Sequence, residues 1–284
     1  MPSISQRLIA IPKYGLFKLK GWILEYIDIM IFPVVTLLSS LSQLRKGKSL
    51  IIQHAIKQIY YTGVRGIFAI TILGIVIGLV VGLVVGLLED ATMGFINFFQ
   101  QGWQSLFMIL MVLKLFGPLL VMLIIVAKTG SAVTIEVGYM KVNHELEAMD
   151  MMGIDVLHFV VFPRIIGIAI AMMALFIYFI LISTIANLAY FALIEGVWWM
   201  DFIQTFWEAM RIQDLVYDML YMAGFGMIIA GVSCYHGMSV RLSFTEIPSI
   251  NTKAIIRSLI LCLLYYGLIT YFAIEAGGWF EFTI

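Results

Sequence analysis

Five stretches of this 284-residue chain are apolar for long enough to cross a lipid bilayer, and that restricts their backbone to helices. A hydrocarbon core about 30 Å thick takes about 20 helical residues. No water reaches the backbone there, so each N–H and C=O must find its partner inside the segment or in a closed barrel. The stretches run near 67–88, 103–127, 165–194, 219–238 and 255–274. The second holds Lys114 and a Gly117-Pro118 break, which leaves a second register open, from just after Pro118 to about residue 138. Composition points the same way. The chain is 62% hydrophobic and 12% charged, where soluble domains run at about 45–50% and 25%. The expected fold class is an all-α integral membrane protein with about five transmembrane helices.

A sixth apolar stretch, near 23–44, is interrupted by Glu25, Asp28 and Pro33 and reads as a helix lying in the membrane interface. Apolar sequence starts late, near Trp22, and no small-residue cleavage site follows, which is not the pattern of a signal peptide. The expected division is a cytoplasmic segment over 1–66 with the interfacial helix, then a membrane domain over 67–284.

Charge placement orients the spans. Counting loops between them, fifteen of the seventeen Lys and Arg residues fall on one side: those from Arg7 to Arg65, then Lys128, Lys141 and Arg164, then Arg241, Lys253 and Arg257. The other side carries acidic residues such as Glu89, Asp90, Glu195 and Asp201, with Arg211 as its base. Basic loops stay in the cytoplasm. The expectation is therefore a cytoplasmic N-terminus, a periplasmic C-terminus and an odd number of spans.

Between the second and third spans, residues 143–153 form a short amphipathic helix on the cytoplasmic side. Asn143 suits its N-cap, Glu145 and Glu147 its positive end, and Gly153 a left-handed close. Leu146, Met149 and Met152 or Gly153 recur at three to four residues and make one apolar ridge that a soluble partner can grip. An ordinary loop folded back on its own protein would show the same pattern.

Two further patterns stand out. Gly74, Gly78, Gly82 and Gly86 recur every four residues and mark a face where another backbone comes close. A homodimer seam and packing within one subunit are both open readings. On the external side Trp198 and Trp199 precede an apolar face that includes Phe206 and Trp207, which reads as an interfacial helix or a contact for an external partner.

The patterns of catalysis are missing. Gly47-Lys48-Ser49 has Ser42 where a phosphate-binding loop needs its first glycine. No nucleophile elbow, HExxH or metal-ligand spacing occurs, and Cys234 and Cys262 lie in separate apolar runs. No catalytic residue, metal or cofactor is expected, and energy for any driven process must enter through another subunit. Lys114, Lys128 and Glu136 are the charges near or within spans, which makes them candidate contacts for a lipid headgroup. Lys128 and Glu136 stand about 12 Å apart along one helix, so each needs another partner.

One block carries a resemblance: Gly117-Pro118, Ala127-Lys128-Thr-Gly130-Ser-Ala132, Glu136-Val-Gly138-Tyr-Met140-Lys141, Glu145-Leu-Glu147-Ala-Met149-Asp150-Met-Met152-Gly153 and Pro163-Arg164. It resembles the MlaE/YrbE permeases, membrane subunits of MCE-associated ABC lipid transporters. The family commonly has arginine where Lys128 stands, and a Glu-Gly-Val-Gly stretch where Glu246-Ile-Pro248-Ser stands. The resemblance implies a homodimeric permease in the cell inner membrane that moves phospholipid or a related lipid between the inner and outer membranes. Its implied partners are an ABC ATPase subunit docked on a coupling helix (here 143–153), an MCE-domain protein on the external face and a STAS-like regulatory subunit. Nucleic acid is not among them. An ATP-independent secondary transporter and a membrane scaffold that moves nothing remain the alternatives.

Overall fold

The computed structural model describes residues 29–40, 48–91, 116–195, 212–241 and 243–275. Among these, α1 is Ile29–Ser40, α2 Lys48–Ala91, and α3 runs from Gly117 to Val142 with a π-helical turn at Val126–Gly130. The short α4 is Glu145–Met151. A π turn at Leu157–Val161 leads into α5, Phe162–Tyr190, and another at Phe191–Glu195 follows it. Next come α6, Ile212–Met238, a 3₁₀ turn at Phe244–Glu246, and α7, Ile247–Glu275. Pro248 stands one residue inside the start of α7, in the first turn, where proline's missing N–H costs least.

Five of these helices are long and apolar enough to span a membrane: Ile51–Val84, Gly117–Val142, Leu157–Ile194, Leu215–Met238 and Phe244–Phe272. The chain is an all-α membrane protein. Of the second span, Gly117–Val142 lies within the described residues and covers the register that opens past Pro118, while 103–115 lie outside them. The helix that carries the first span begins earlier than expected. The first helix runs 44 residues without a break at 66/67, so its basic N-terminal half, with Lys57 and Arg65, continues the span instead of preceding it. Arg65 lies over the Tyr61 ring at 5.4 Å. The twelve described residues of α1 alone are too few to cross about 30 Å of hydrocarbon.

The chain divides into two units. One comprises 60–125 and 170–224. Here the glycine stripe of α2 lies on α5. A Cβ on Gly74 would meet Ile182 at 3.0 Å, and one on Gly82 would meet the Tyr190 ring at 2.8 Å. At Gly78 it would strike the Ser183 carbonyl oxygen and sit 2.8 Å from the Ala186 Cβ. The stripe is thus used within the subunit at these three positions, where sequence left a dimer seam equally open; the surroundings of Gly86 lie outside the described residues. Polar bonds pin the same face. The Asn187 amide donates to the Gly78 carbonyl at 3.3 Å. Thr71 donates to Ile67, so the Tyr178 hydroxyl donates to Thr71 at 2.8 Å.

The other unit comprises 1–59, 126–169 and 225–284. The C-terminal half of α3 runs antiparallel to the start of α7. Asn251 donates to the Ser131 hydroxyl at 2.8 Å at one level, and Gly138 faces Ile247 at another. Val142, Val240 and Ile247 form a buried apolar cluster there, flanked by Ile135 and Ile250. Gly237 of α6 sits against Val137, where a Cβ would come within 2.7 Å of the valine Cβ. Such approach is possible because neither glycine has a side chain to separate the backbones.

Gly78→Leu should lower the unfolding midpoint in detergent by the equivalent of about 1–3 kcal/mol, since the core must shift to admit it. Gly63→Ala, where a Cβ meets nothing within 4 Å, should be neutral or slightly stabilising.

Candidate functional site

The turn that delivers α4 to the surface is made by two residues. Asn143 closes α3, its N–H bonded to the Tyr139 carbonyl at 2.9 Å, and its side chain reaches Glu145 at 3.3 Å. His144 then takes the left-handed conformation, φ 60°, and precedes the first helical residue. The expected cap is therefore displaced by one. His144, not Asn143, occupies the N-cap position, and its side chain does not cap a backbone N–H of the helix. The helix is correspondingly shorter, seven residues instead of eleven.

Its other end follows the expectation. Gly153 has φ 75°, and two bonds close the helix: Gly153 N–H to the Asp150 carbonyl at 3.0 Å and Ile154 N–H to the Met149 carbonyl at 3.0 Å. That pair of bonds is the Schellman arrangement, with Met149 and Ile154 as its apolar partners in sequence. Asp155 then starts the next helical segment by accepting the Leu157 N–H at 3.0 Å.

Glu147 clamps α4 to the end of α3. Lys141 donates to one carboxylate oxygen at 2.9 Å, and His144 Nδ1 lies 2.7 Å from the other. A carboxylate only accepts, so the proton of that imidazole contact sits on Nδ1. These contacts hold the Glu147 carboxyl below its ordinary range, the His144 hydrogen bond first and Lys141 second.

The apolar ridge does not stay whole. Leu146 is 6% exposed and turned into the protein body, and Met149 is half-buried, whereas Met152 is 68% exposed and Met151, absent from the expected ridge, 91%. Met151 stands five residues after Leu146, about 140° around the axis, so the two occupy opposite faces. Burying one face anchors the helix and leaves the methionines outward. Glu145 and Asp150 are exposed with them. Nearby, the exposed Phe244 packs on Tyr139 with ring centres 5.8 Å apart, bringing the α6–α7 connection to the base of α3.

The candidate headgroup residues separate. Lys128 is exposed within the π turn of α3. Glu136 has a protein partner, Arg164, at 2.9 Å. Sequence reasoning missed that pair because its members are 28 residues apart with a surface helix between them. It also missed His236 and Arg257. The His236 Nδ1–H donates to the Val232 carbonyl at 2.9 Å, which leaves Nε2 to accept from Arg257 at 2.9 Å. Lys114, Trp198, Trp199, Phe206 and Trp207 lie outside the described residues. Among the described residues no group of three or more His, Cys, Asp or Glu is placed to hold a metal.

Comparison with known proteins adds the lineage. The family model for "Permease MlaE" matches residues 55–272. The chain belongs to that family. Similar proteins include a probable ABC transporter permease of Rickettsia bellii, 26% identical over 62% of this chain and 68% of its own length. The intermembrane phospholipid transport system permease MlaE of Haemophilus influenzae is 25% identical over 76% of this chain and 82% of its own. A plant relative, the chloroplastic protein Trigalactosyldiacylglycerol 1 of Arabidopsis thaliana, is 22% identical over 51% of this chain and 41% of its own. With five membrane-spanning helices, this MlaE-family chain is an ABC-type permease.

A group whose folded-state pKa is depressed lends stability above its unfolded value and loses it as pH falls through the folded one. The Glu147 clamp should therefore hold from neutral to mildly acid pH and open only below the ordinary glutamate range. A spin label at Met151 should keep its mobility down to that range and gain it below. In Glu147→Gln the label should be mobile throughout, with no acid transition.

Proposed function

We propose that this chain is the membrane subunit of an ABC-type lipid transporter and that α4 is its coupling helix. The observation that carries the reading is a surface helix with two defined ends, a clamped base and two outward methionines, set between the second and third spans of an MlaE-family permease. A protein with no visible nucleotide-binding motif of its own needs such a handle. A partner ATPase moving α4 would move α3 and α5, the two helices joined to it by short connections.

Charge placement along the sequence supports a cytoplasmic α4, a cytoplasmic N-terminus and a periplasmic C-terminus in the bacterial inner membrane. On this reading Glu145, Asp150, Met151 and Met152 face the ATPase. Leu146 and Met149 anchor the helix, Glu147 holds its angle and Gly153 ends it. The cargo is a phospholipid or related lipid, as the name of the Haemophilus relative states for that protein. Lys128 offers a point charge to a headgroup phosphate, and Lys114 a second. A homodimer would enclose the lipid. An MCE-domain protein would receive it on the external face, where the 198–207 segment supplies aromatic residues, and a STAS-like subunit would regulate the motor.

In the complex purified with its ATPase, Met151→Asp combined with Met152→Asp should reduce recovery of the ATPase at least tenfold, the effect of about 1.4 kcal/mol in docking. Membrane insertion and thermal stability should be retained. Leu146→Asp should instead destabilise the permease itself, because it places a charge on the buried face. Full ATPase recovery with the double substitution would refute the coupling role of α4. Lipid-independent ATP hydrolysis by the wild-type complex would favour a scaffold.

A further inference from the structure

We propose that the Glu136–Arg164 ion pair is a brace across the base of the α4 hairpin, a positioning pair that makes α3 and α5 move together when α4 is displaced. The inference rests on the coupling role just proposed for α4. Glu136 lies on α3 before the hairpin, and Arg164 lies on α5 after it, joined at 2.9 Å between Oε1 and Nη2. Everything between them in sequence, including all of α4, is therefore a loop closed by this contact.

The two residues stand at matching heights. Glu136 precedes Val142, the end of α3, by six residues, about 9 Å of helix, and Arg164 follows Leu157 by seven, about 10 Å. A cross-link at equal depth resists splaying of the two legs. Without it, a push on α4 could spread its supports instead of tilting them as one body.

The chemistry favours a permanent tie on the arginine side. The Arg164 side chain is 11% exposed, against 60% for Glu136. A guanidinium remains charged at any physiological pH, so in that setting it must keep a counter-charge. Its Nη2 also lies 3.8 Å from the Met140 sulfur, one turn beyond Glu136 on the same helix, so the guanidinium lies along α3. Arg164 thus ties the first turn of α5 to α3 through two contacts one turn apart. Its Nη1 is buried and makes no hydrogen bond, so the contact with Glu136 uses one prong of the fork.

Two measurements test the brace. Hydrogen exchange of residues 145–151 is read on the permease alone, and lipid moved per ATP is read on the complex with its ATPase. In Glu136→Gln the α4 amides should exchange roughly tenfold faster, the scale of losing a hydrogen bond to a charged group. The ATPase should still be recruited at wild-type stoichiometry, while lipid moved per ATP falls several-fold. Arg164→Lys, which keeps a point charge, should retain most of both properties. Exchange of the two residues, Glu136→Arg with Arg164→Glu, should recover the ratio if the pair acts as a pair.

Wild-type exchange and wild-type lipid per ATP in Glu136→Gln would overturn the proposal. So would a defect in Glu136→Gln without any retention in Arg164→Lys or recovery in the exchanged pair. Failure of the wild-type permease to bind any ATPase would instead remove the coupling reading, and the exchange rates of α4 would then decide the brace by themselves.

Discussion

Backbone polarity in a medium without water is the constraint from which the rest of this structure follows. Hydrocarbon accepts α2, α3, α5, α6 and α7 because each satisfies its own N–H and C=O groups. It supplies little drive to press one apolar helix onto another, so contact depends on how closely the backbones can approach. Gly78 on the Ser183 carbonyl and Gly237 on Val137 are two places where that approach is close. Beside Gly78, the Asn187 amide adds a bond to a backbone carbonyl that would otherwise have only its helical partner.

Charged groups obey the same constraint in reverse. The short α4, with Glu145, Glu147 and Asp150 in seven residues, has no place in hydrocarbon and is held at the surface. Its attachments are local and polar: the turn at Asn143–His144, the Glu147 clamp, the Gly153 close and the Asp155 cap. One apolar side chain, Leu146, anchors it inward. A helix tied at both ends, with two methionines beside the acidic residues of its free face, is a good handle, because force on Met151 and Met152 reaches α3 and α5 through short connections.

The buried arginine adds a different kind of order. Apolar packing tolerates sliding, since one methyl group resembles another, whereas an ion pair has a definite partner at a definite height. The Glu136–Arg164 ion pair, and the hydrogen bond from Arg257 to the neutral His236 ring, fix register between helices whose apolar faces alone would fix it poorly. Such pairs need not add much net stability in a poorly solvated site. Their value in a moving permease lies in specifying which helices travel together.

The sequence by itself determined the number of spans, their helical nature, the surface helix and its glycine close, because these follow from runs and spacings within one segment. It also left Lys128 and Glu136 each in need of a partner, since their separation along α3 was set by helix geometry alone. Tertiary structure decided what lay across segments. Gly74, Gly78 and Gly82 met α5 of the same subunit, and Glu136 found Arg164 from 28 residues away in sequence. The face of α4 that turned inward was likewise settled by packing, which buried Leu146 and left Met151 outside. Periodicity records which residues share a face, but only the position of the neighbouring helices says what that face meets.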